Sequence, residues 1–264
     1  MFYYKEGLGL RIVVKVGTST LAHATGRLNI RRVEALADLK NAGHEIVLVS
    51  SGAIGMGVGK LQLSSRPADI ATKQAAAAVG QCELMYVYDK LLGDYSHTVA
   101  QVLLTAEDVQ DPARRHNIET TLARLLELGA LPVINENDTV ATDEIRVGDN
   151  DTLSAIVAAS VGADLLILLS DIDGLYTADP RKHPEARLIH EVPALTPEIL
   201  ALGEGAGSSL GTGGMATKLA AARIAVGQGI PMVIANGSDP ACLYPIVQGE
   251  NVGTRFLPGT ETAT

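Results

Sequence analysis

A chain of 264 residues is long enough to bury a large core, either as one domain or as two closely joined lobes. Its 47% hydrophobic and 19% charged residues exclude a disordered polypeptide. A formal net charge of −9, with 3% aromatics and no tryptophan, speaks against a nucleic-acid surface, so no nucleic-acid partner is expected. A small anionic substrate stays compatible, because a few inward lysines set the local field against the global one.

Cys82 and Cys242 sit among apolar or small residues without metal-ligand spacing, which predicts reduced, partly buried thiols. The first nine residues are mixed in character, and Lys15 and Gly17 interrupt the apolar run after them, which is not a signal-peptide pattern. The longest apolar run, near residues 165–169, is too short to span a bilayer. A cytoplasmic location without membrane association is the expectation.

Residues 10–16 (LRIVVKV) are dense in β-branched side chains and apolar on both faces, predicting a central parallel strand. Lys15, Gly17, Thr18 and Ser19 close it, placing an ammonium and small hydroxyls where open α/β sheets bind ligands. Asn29 is a cap candidate for a helix over residues 30–41, ended by Gly43. A second strand over residues 45–49 delivers Ser50, Ser51, Gly52, Ala53, Ile54 and Gly55 to a similar edge. That segment reads either as a plain glycine-rich turn or as a ligand loop. Residues 66–92 are alanine-rich and predict a helix kinked or interrupted near Gly80, with residues 75–78 suited to close packing. Tyr86 and Tyr88 face either a core or a partner subunit.

A third strand is expected over residues 99–105, then a helix opened by Pro112 and stopped by Gly129, with Ile118, Leu122, Leu125 and Leu126 on one face. Residues 131–135 form a fourth strand, followed by a dense polar stretch through Asn135, Glu136, Asn137, Asp138 and Thr139 to Asp149, Asn150 and Asp151. A small-residue helix over residues 153–161 precedes the most apolar strand, residues 164–169, which hands over to Ser170, Asp171, Ile172, Asp173 and Gly174. These carboxylates lack the spacing of a calcium-binding EF-hand loop. An edge strand over residues 187–192, helices over 198–202 and 216–227, a strand over 231–235 and a short helix near 239–247 complete the pattern, and residues 253–256 end the fold. Strands alternating with helices imply crossover connections and a mostly parallel sheet covered on both faces.

Residues 203–218 (GEGAGSSLGTGGMATK) place glycines and a lysine where loop becomes helix. Glycine lets an anion approach main-chain N–H groups, and a first helical turn adds unpaired donors. Two readings fit, a phosphate-binding turn and a flexible surface loop. The order differs from a P-loop, since Thr217 precedes Lys218. Lys15 and Lys218 are candidates to compensate charge on a transferring phosphoryl group. Lys15 interrupts an apolar strand, where a lone ammonium is costly, so it implies a carboxylate partner. Asp151 is the candidate, as partner or as helix cap.

Six blocks, VVKVGTS at residues 13–19, SSGAIG at 50–55, PVINENDTVA at 132–141, VGDNDTLSA at 147–155, LLSDIDGLYTADPR at 168–181 and GTGGMATK at 211–218, closely resemble the amino-acid kinase family. Within it they are most similar to the branch that phosphorylates glutamate. The resemblance runs over nearly the whole chain. It implies an α/β fold, a three-layer αβα sandwich with an open, mostly parallel central sheet. It also implies a lobe at residues 1–162 binding L-glutamate, one at 163–256 binding ATP, and a tail at 257–264.

By the same resemblance, Ser51, Asp138 and Asn150 bind glutamate, with Asp138 facing its α-amino group and Ser51 and Asn150 helping hold its carboxylates, and Ser170 and Asp171 contact the nucleotide. Gly211, Thr212, Gly213, Gly214, Met215, Ala216, Thr217 and Lys218 wrap its phosphates. Lys15 and Lys218 stabilise the moving γ-phosphoryl, and Asp151 orients both. The implied reaction is ATP plus L-glutamate giving ADP and L-glutamyl 5-phosphate, with Mg²⁺ bridging phosphates, as the opening of proline synthesis. Proline as feedback inhibitor near residues 136–144, a homodimer or homotetramer, and handover of the labile product to glutamyl-phosphate reductase are further implications. Many relatives carry a C-terminal PUA domain of RNA-binding type, and this chain is expected to stop before one. The alternatives are another amino-acid or acyl kinase, such as acetylglutamate kinase, and a non-catalytic nucleotide- or proline-binding regulatory module.

Overall fold

The computed structural model of the chain describes residues 9–17, 30–141, 150–203 and 214–259. Expectations at Thr18, Ser19, Asn29, residues 142–149, and Gly211, Thr212 and Gly213 lie outside the described residues. The first elements are β1 (Arg11–Val16), α1 (Ile30–Asn41), β2 (Glu45–Ser50), α2 (Ala53–Lys60) and α3 (Ile70–Gly93). Next come β3 (Val99–Leu104), α4 (Ala106–Gln110), α5 (Pro112–Glu127), β4 (Leu131–Glu136), α6 (Asn150–Val161) and β5 (Leu165–Ser170). The rest are β6 (Leu175–Tyr176), β7 (Leu188–Ile189), β8 (Glu191–Val192), α7 (Pro197–Ala201), α8 (Met215–Gly227), β9 (Met232–Asn236), a 3-10 turn (Pro240–Cys242), α9 (Leu243–Val247) and β10 (Thr254–Phe256). The class is the expected one, α/β with a mostly parallel sheet flanked by helices. Among the described residues no helix is long and apolar enough to cross a membrane.

The chain divides into two compact units, a terminal unit of Met1–Lys15 with Gly148–Thr264 and a middle unit of Val16–Val147. In the terminal unit the strand order is β1-β5-β9-β10-β8. β5 runs parallel to β9, with Leu168 opposite Ile234, while β10 is antiparallel to β9. Every residue of β5 is buried, as a strand covered on both faces requires. Each of its Leu and Ile side chains contributes roughly 1.5–3 kcal/mol through burial. The single edge strand expected over residues 187–192 is instead two pieces interrupted at His190. β7 pairs antiparallel with β6, whereas β8 pairs parallel with β10, so the two halves serve different partners.

In the middle unit the order is β3-β4-β2, all parallel, with Val49 opposite Ile134 and Leu103 opposite Asn135. Gly43 and Gly129 follow α1 and α5 with φ of 96° and 76°, the left-handed turn that ends a helix. The break expected near Gly80 does not occur, because α3 is one continuous helix. Glycine serves there for contact: a Cβ on Gly80 would lie 1.7 Å from the Ala53 carbonyl oxygen, and one on Gly57 would lie 1.8 Å from that of Ala76. The same contact explains why Ala53–Lys60 is helical despite three internal glycines, each costing about 1 kcal/mol in propensity. Close packing of α2 on α3 replaces what local preference withholds. Tyr88 is fully buried and Tyr86 is 60% exposed, so the tyrosine pair is divided between core and surface. Cys242 is half-buried as expected, but Cys82, within α3, is exposed.

Candidate active site

Two lysines and an aspartate are buried within the terminal unit. Lys15 is the fifth residue of β1 and is buried, so its ammonium needs a counter-ion in place of water. That partner is Asp151, in the first turn of α6, with no exposed surface of its own. Lys15 Nζ lies 2.7 Å from Asp151 Oδ1. Lys218, in the first turn of α8 and also buried, places its Nζ 3.1 Å from Asp151 Oδ2. The packing of α6 against α8 brings these helix starts together.

Two neighbours hold the carboxylate in place. Thr217 Oγ1 lies 3.0 Å from Asp151 Oδ2 and 2.8 Å from the Gly214 carbonyl oxygen, so the hydroxyl bridges carboxylate and helix start. Ser154 Oγ donates to the Asp151 main-chain carbonyl at 2.6 Å, fixing the first turn of α6. Burial by itself would raise the Asp151 pKa, but the ammoniums of Lys15 and Lys218 outweigh it and hold the group down to about 2. Both carboxylate oxygens are engaged, so Asp151 is a poor proton acceptor at neutral pH. Two ammoniums against one carboxylate leave an unbalanced positive charge suited to a phosphoryl group.

The remaining expected residues fall at strand and helix ends. Gly214 is the N-cap of α8 and makes no side-chain cap, and Met215 and Ala216 follow in its first turn, where helical N–H groups lack intrahelical acceptors. Ser170 ends β5, and its Oγ donates to Asp171 Oδ1 at 3.1 Å. Asn150 opens α6 beside Asp151. In the middle unit Ser51 follows β2, and Asp138 lies two residues beyond β4. Those strands are adjacent and parallel, so Ser51 and Asp138 share one carboxyl edge.

Several polar contacts escaped the sequence reading. Asp173 accepts from Asn236 Nδ2 and from the Tyr176 hydroxyl, each at 2.8 Å, and these bonds, Asn236 first, lower its pKa. In the middle unit Ser50 Oγ and Tyr88 Oη lie 3.0 Å apart, and burial raises the phenol's pKa against the opposing effect of that bond. Asn135 Nδ2 donates to Gln81 Oε1 at 2.8 Å. A glutamine following an alanine run in a helical stretch was the sequence signal available for that pair. Among the described residues no three His, Cys, Asp or Glu side chains converge as a metal site.

Comparison with known proteins gives a consistent result. The profile of the Amino acid kinase family matches residues 10–236. The chain is 52% identical over 255 residues to glutamate 5-kinase of Clostridium perfringens (strain 13 / Type A), covering 94% of this chain and 95% of that one. It is 55% identical over 252 residues to glutamate 5-kinase of Moorella thermoacetica (strain ATCC 39073 / JCM 9320), covering 94% and 67% respectively. Among solved structures, carbamate kinase from Giardia lamblia bound to AMP-PNP superposes with a TM-score of 0.68 at 18% identity, over 94% of this chain and 98% of that one. At that identity the likeness concerns the fold.

Proposed function

Because the chain belongs to the amino acid kinase family, we propose that it transfers the γ-phosphoryl group of ATP to the γ-carboxylate of L-glutamate, the first step of proline biosynthesis. The observation that carries this reading is the buried Asp151 carboxylate with one ammonium, Lys15 and Lys218, on each oxygen.

Phosphoryl transfer asks the protein for alignment and charge compensation more than for covalent chemistry. The glutamate γ-carboxylate is already ionised at neutral pH, with a pKa of about 4.3, so no general base is required. Its oxygen attacks the γ-phosphorus, the bond to the β,γ-bridging oxygen breaks, and ADP leaves with that electron pair. Lys15 and Lys218 compensate the charge that spreads over the equatorial oxygens. Asp151, ionised and occupied on both oxygens, holds the lysines and moves no proton. Ser170, Asp171 and residues Gly214 to Lys218 engage the nucleotide, with Gly211, Thr212 and Gly213. Ser51, Asp138 and Asn150 engage glutamate, Asp138 through its α-amino group.

Mg²⁺ would have to enter with the nucleotide, since Asp151 is taken by ammonium groups and no cluster of metal-ligating side chains forms among the described residues. It would supply further neutralisation of phosphate charge. Assembly as a dimer or tetramer, inhibition by proline, delivery of the acyl phosphate to glutamyl-phosphate reductase and a cytoplasmic location belong to the same proposal.

The deciding experiment couples ADP release to a reporter, using purified protein, Mg-ATP and either L-glutamate or N-acetyl-L-glutamate. Turnover with glutamate alone is expected. ADP release that ignores glutamate, or that needs the acetylated substrate, would overturn the proposal.

A further inference from the structure

A directional chain of hydrogen bonds in the middle unit ends on a donor with no acceptor among the described residues. The Glu136 main-chain N–H donates to Asn135 Oδ1 at 2.9 Å, which fixes the orientation of the Asn135 carboxamide. Its Nδ2 therefore faces α3 and donates to Gln81 Oε1 at 2.8 Å, which in turn fixes Gln81. Gln81 is 8% exposed. Its Nε2 is buried and meets no acceptor among the described residues.

Leaving a buried N–H donor unmatched is unfavourable unless a ligand oxygen or water completes it. The donor's place in the fold indicates which. Asn135 sits near the carboxyl end of β4, opposite Leu103 and three residues before Asp138, at the edge that also carries Ser51. Under the proposed function a glutamate bound there brings three charged groups. Asp138 takes the ammonium, and the γ-carboxylate must keep a lone pair for phosphorus. The α-carboxylate is left, and a neutral amide N–H suits it without competing for the phosphoryl group. We infer that Gln81 Nε2 donates to the α-carboxylate of the bound amino acid, making Gln81 a specificity-determining residue that the main chain of Glu136 orients through Asn135. This rests on the glutamate reading above.

The test uses the full chain and two variants, with glutamate and Mg-ATP varied in turn at about pH 8. Gln81→Met removes both the donor and the acceptor for Asn135; Gln81→Glu keeps that acceptor but sets a carboxylate against the substrate's own. A thermal unfolding curve of each reports whether it is folded. The expected result is a KM for glutamate raised about tenfold in Gln81→Met and further in Gln81→Glu, with the KM for ATP within about twofold of the parent. A purely architectural glutamine predicts the reverse order, because Gln81→Glu preserves the bond to Asn135. That order, a glutamate KM within about twofold in both variants, or equal rises for both substrates overturns the assignment. An active parent with unaffected variants sinks this inference alone. A parent that does not turn over glutamate sinks the functional reading, and the assignment with it.

Discussion

Replacing Asp151 by asparagine should destabilise the chain more than removing either lysine it holds. A carboxyl whose pKa falls from 3.8 to about 2 on folding favours the folded state by on the order of 2 kcal/mol at neutral pH. Since the folded value is the lower one, that contribution is complete above about pH 4 and disappears as the pH drops through about 2. Asp151→Asn removes it at every pH and also leaves two buried ammoniums uncompensated. Breaking a buried ion pair from one side costs about 3–5 kcal/mol. Lys15→Met or Lys218→Met leaves a neutral pair, with an expected cost on the order of 1–2 kcal/mol. Urea unfolding followed by far-UV circular dichroism at neutral pH measures all three. Adding Lys15→Met to Asp151→Asn should return part of the lost stability, because it takes away one orphaned charge. The reasoning is refuted if Asp151→Asn unfolds at the parent's midpoint, or if the double variant is no more stable than Asp151→Asn.

Lys218→Ala should lower kcat by about two to three orders of magnitude, since compensation of the equatorial oxygens is made mainly in the transition state; parent-like kcat in the ADP assay would contradict its role. Gly80→Ala should cost at least about 2 kcal/mol, because its methyl would collide with the Ala53 carbonyl oxygen. Gly59→Ala, in α2 with open space around it, should gain about 0.5–1 kcal/mol from helix propensity, and paired urea titrations would expose any failure of that contrast. Tyr88→Phe removes the buried partner of the Ser50 hydroxyl and should cost about 1–2 kcal/mol, with the same titration as the check.

Local pattern carried a large share of the fold. The apolar run ending in Ser170 is a strand buried on both faces, and the periodic residues after Pro112 make a helix that buries Leu122 and Leu126. Period and glycine placement record such features because each depends on residues a few positions apart. The exceptions are places where distant packing overrode preference. The stretch ending in Gly55 suggests a turn, yet Ala53 to Gly55 lie in α2, and Gly80 suggests a break, yet it lies within α3. Both follow from one helix contact in which a missing Cβ is the requirement.

The composition of β1 was enough to flag Lys15, because an ammonium in an apolar strand demands a counter-charge whatever the fold. It could name Asp151 only as a candidate. That each oxygen of this carboxylate meets a different ammonium, one of them 67 residues further along the chain, depends on α6 packing against α8. The bridging hydroxyl of Thr217 and the Gln81 Nε2, which meets no acceptor among the described residues, are of the same kind. A hydrogen bond requires donor and acceptor within about 3 Å and in line. Sequence alone specified which groups need partners; only the packed structure decided which partners they have.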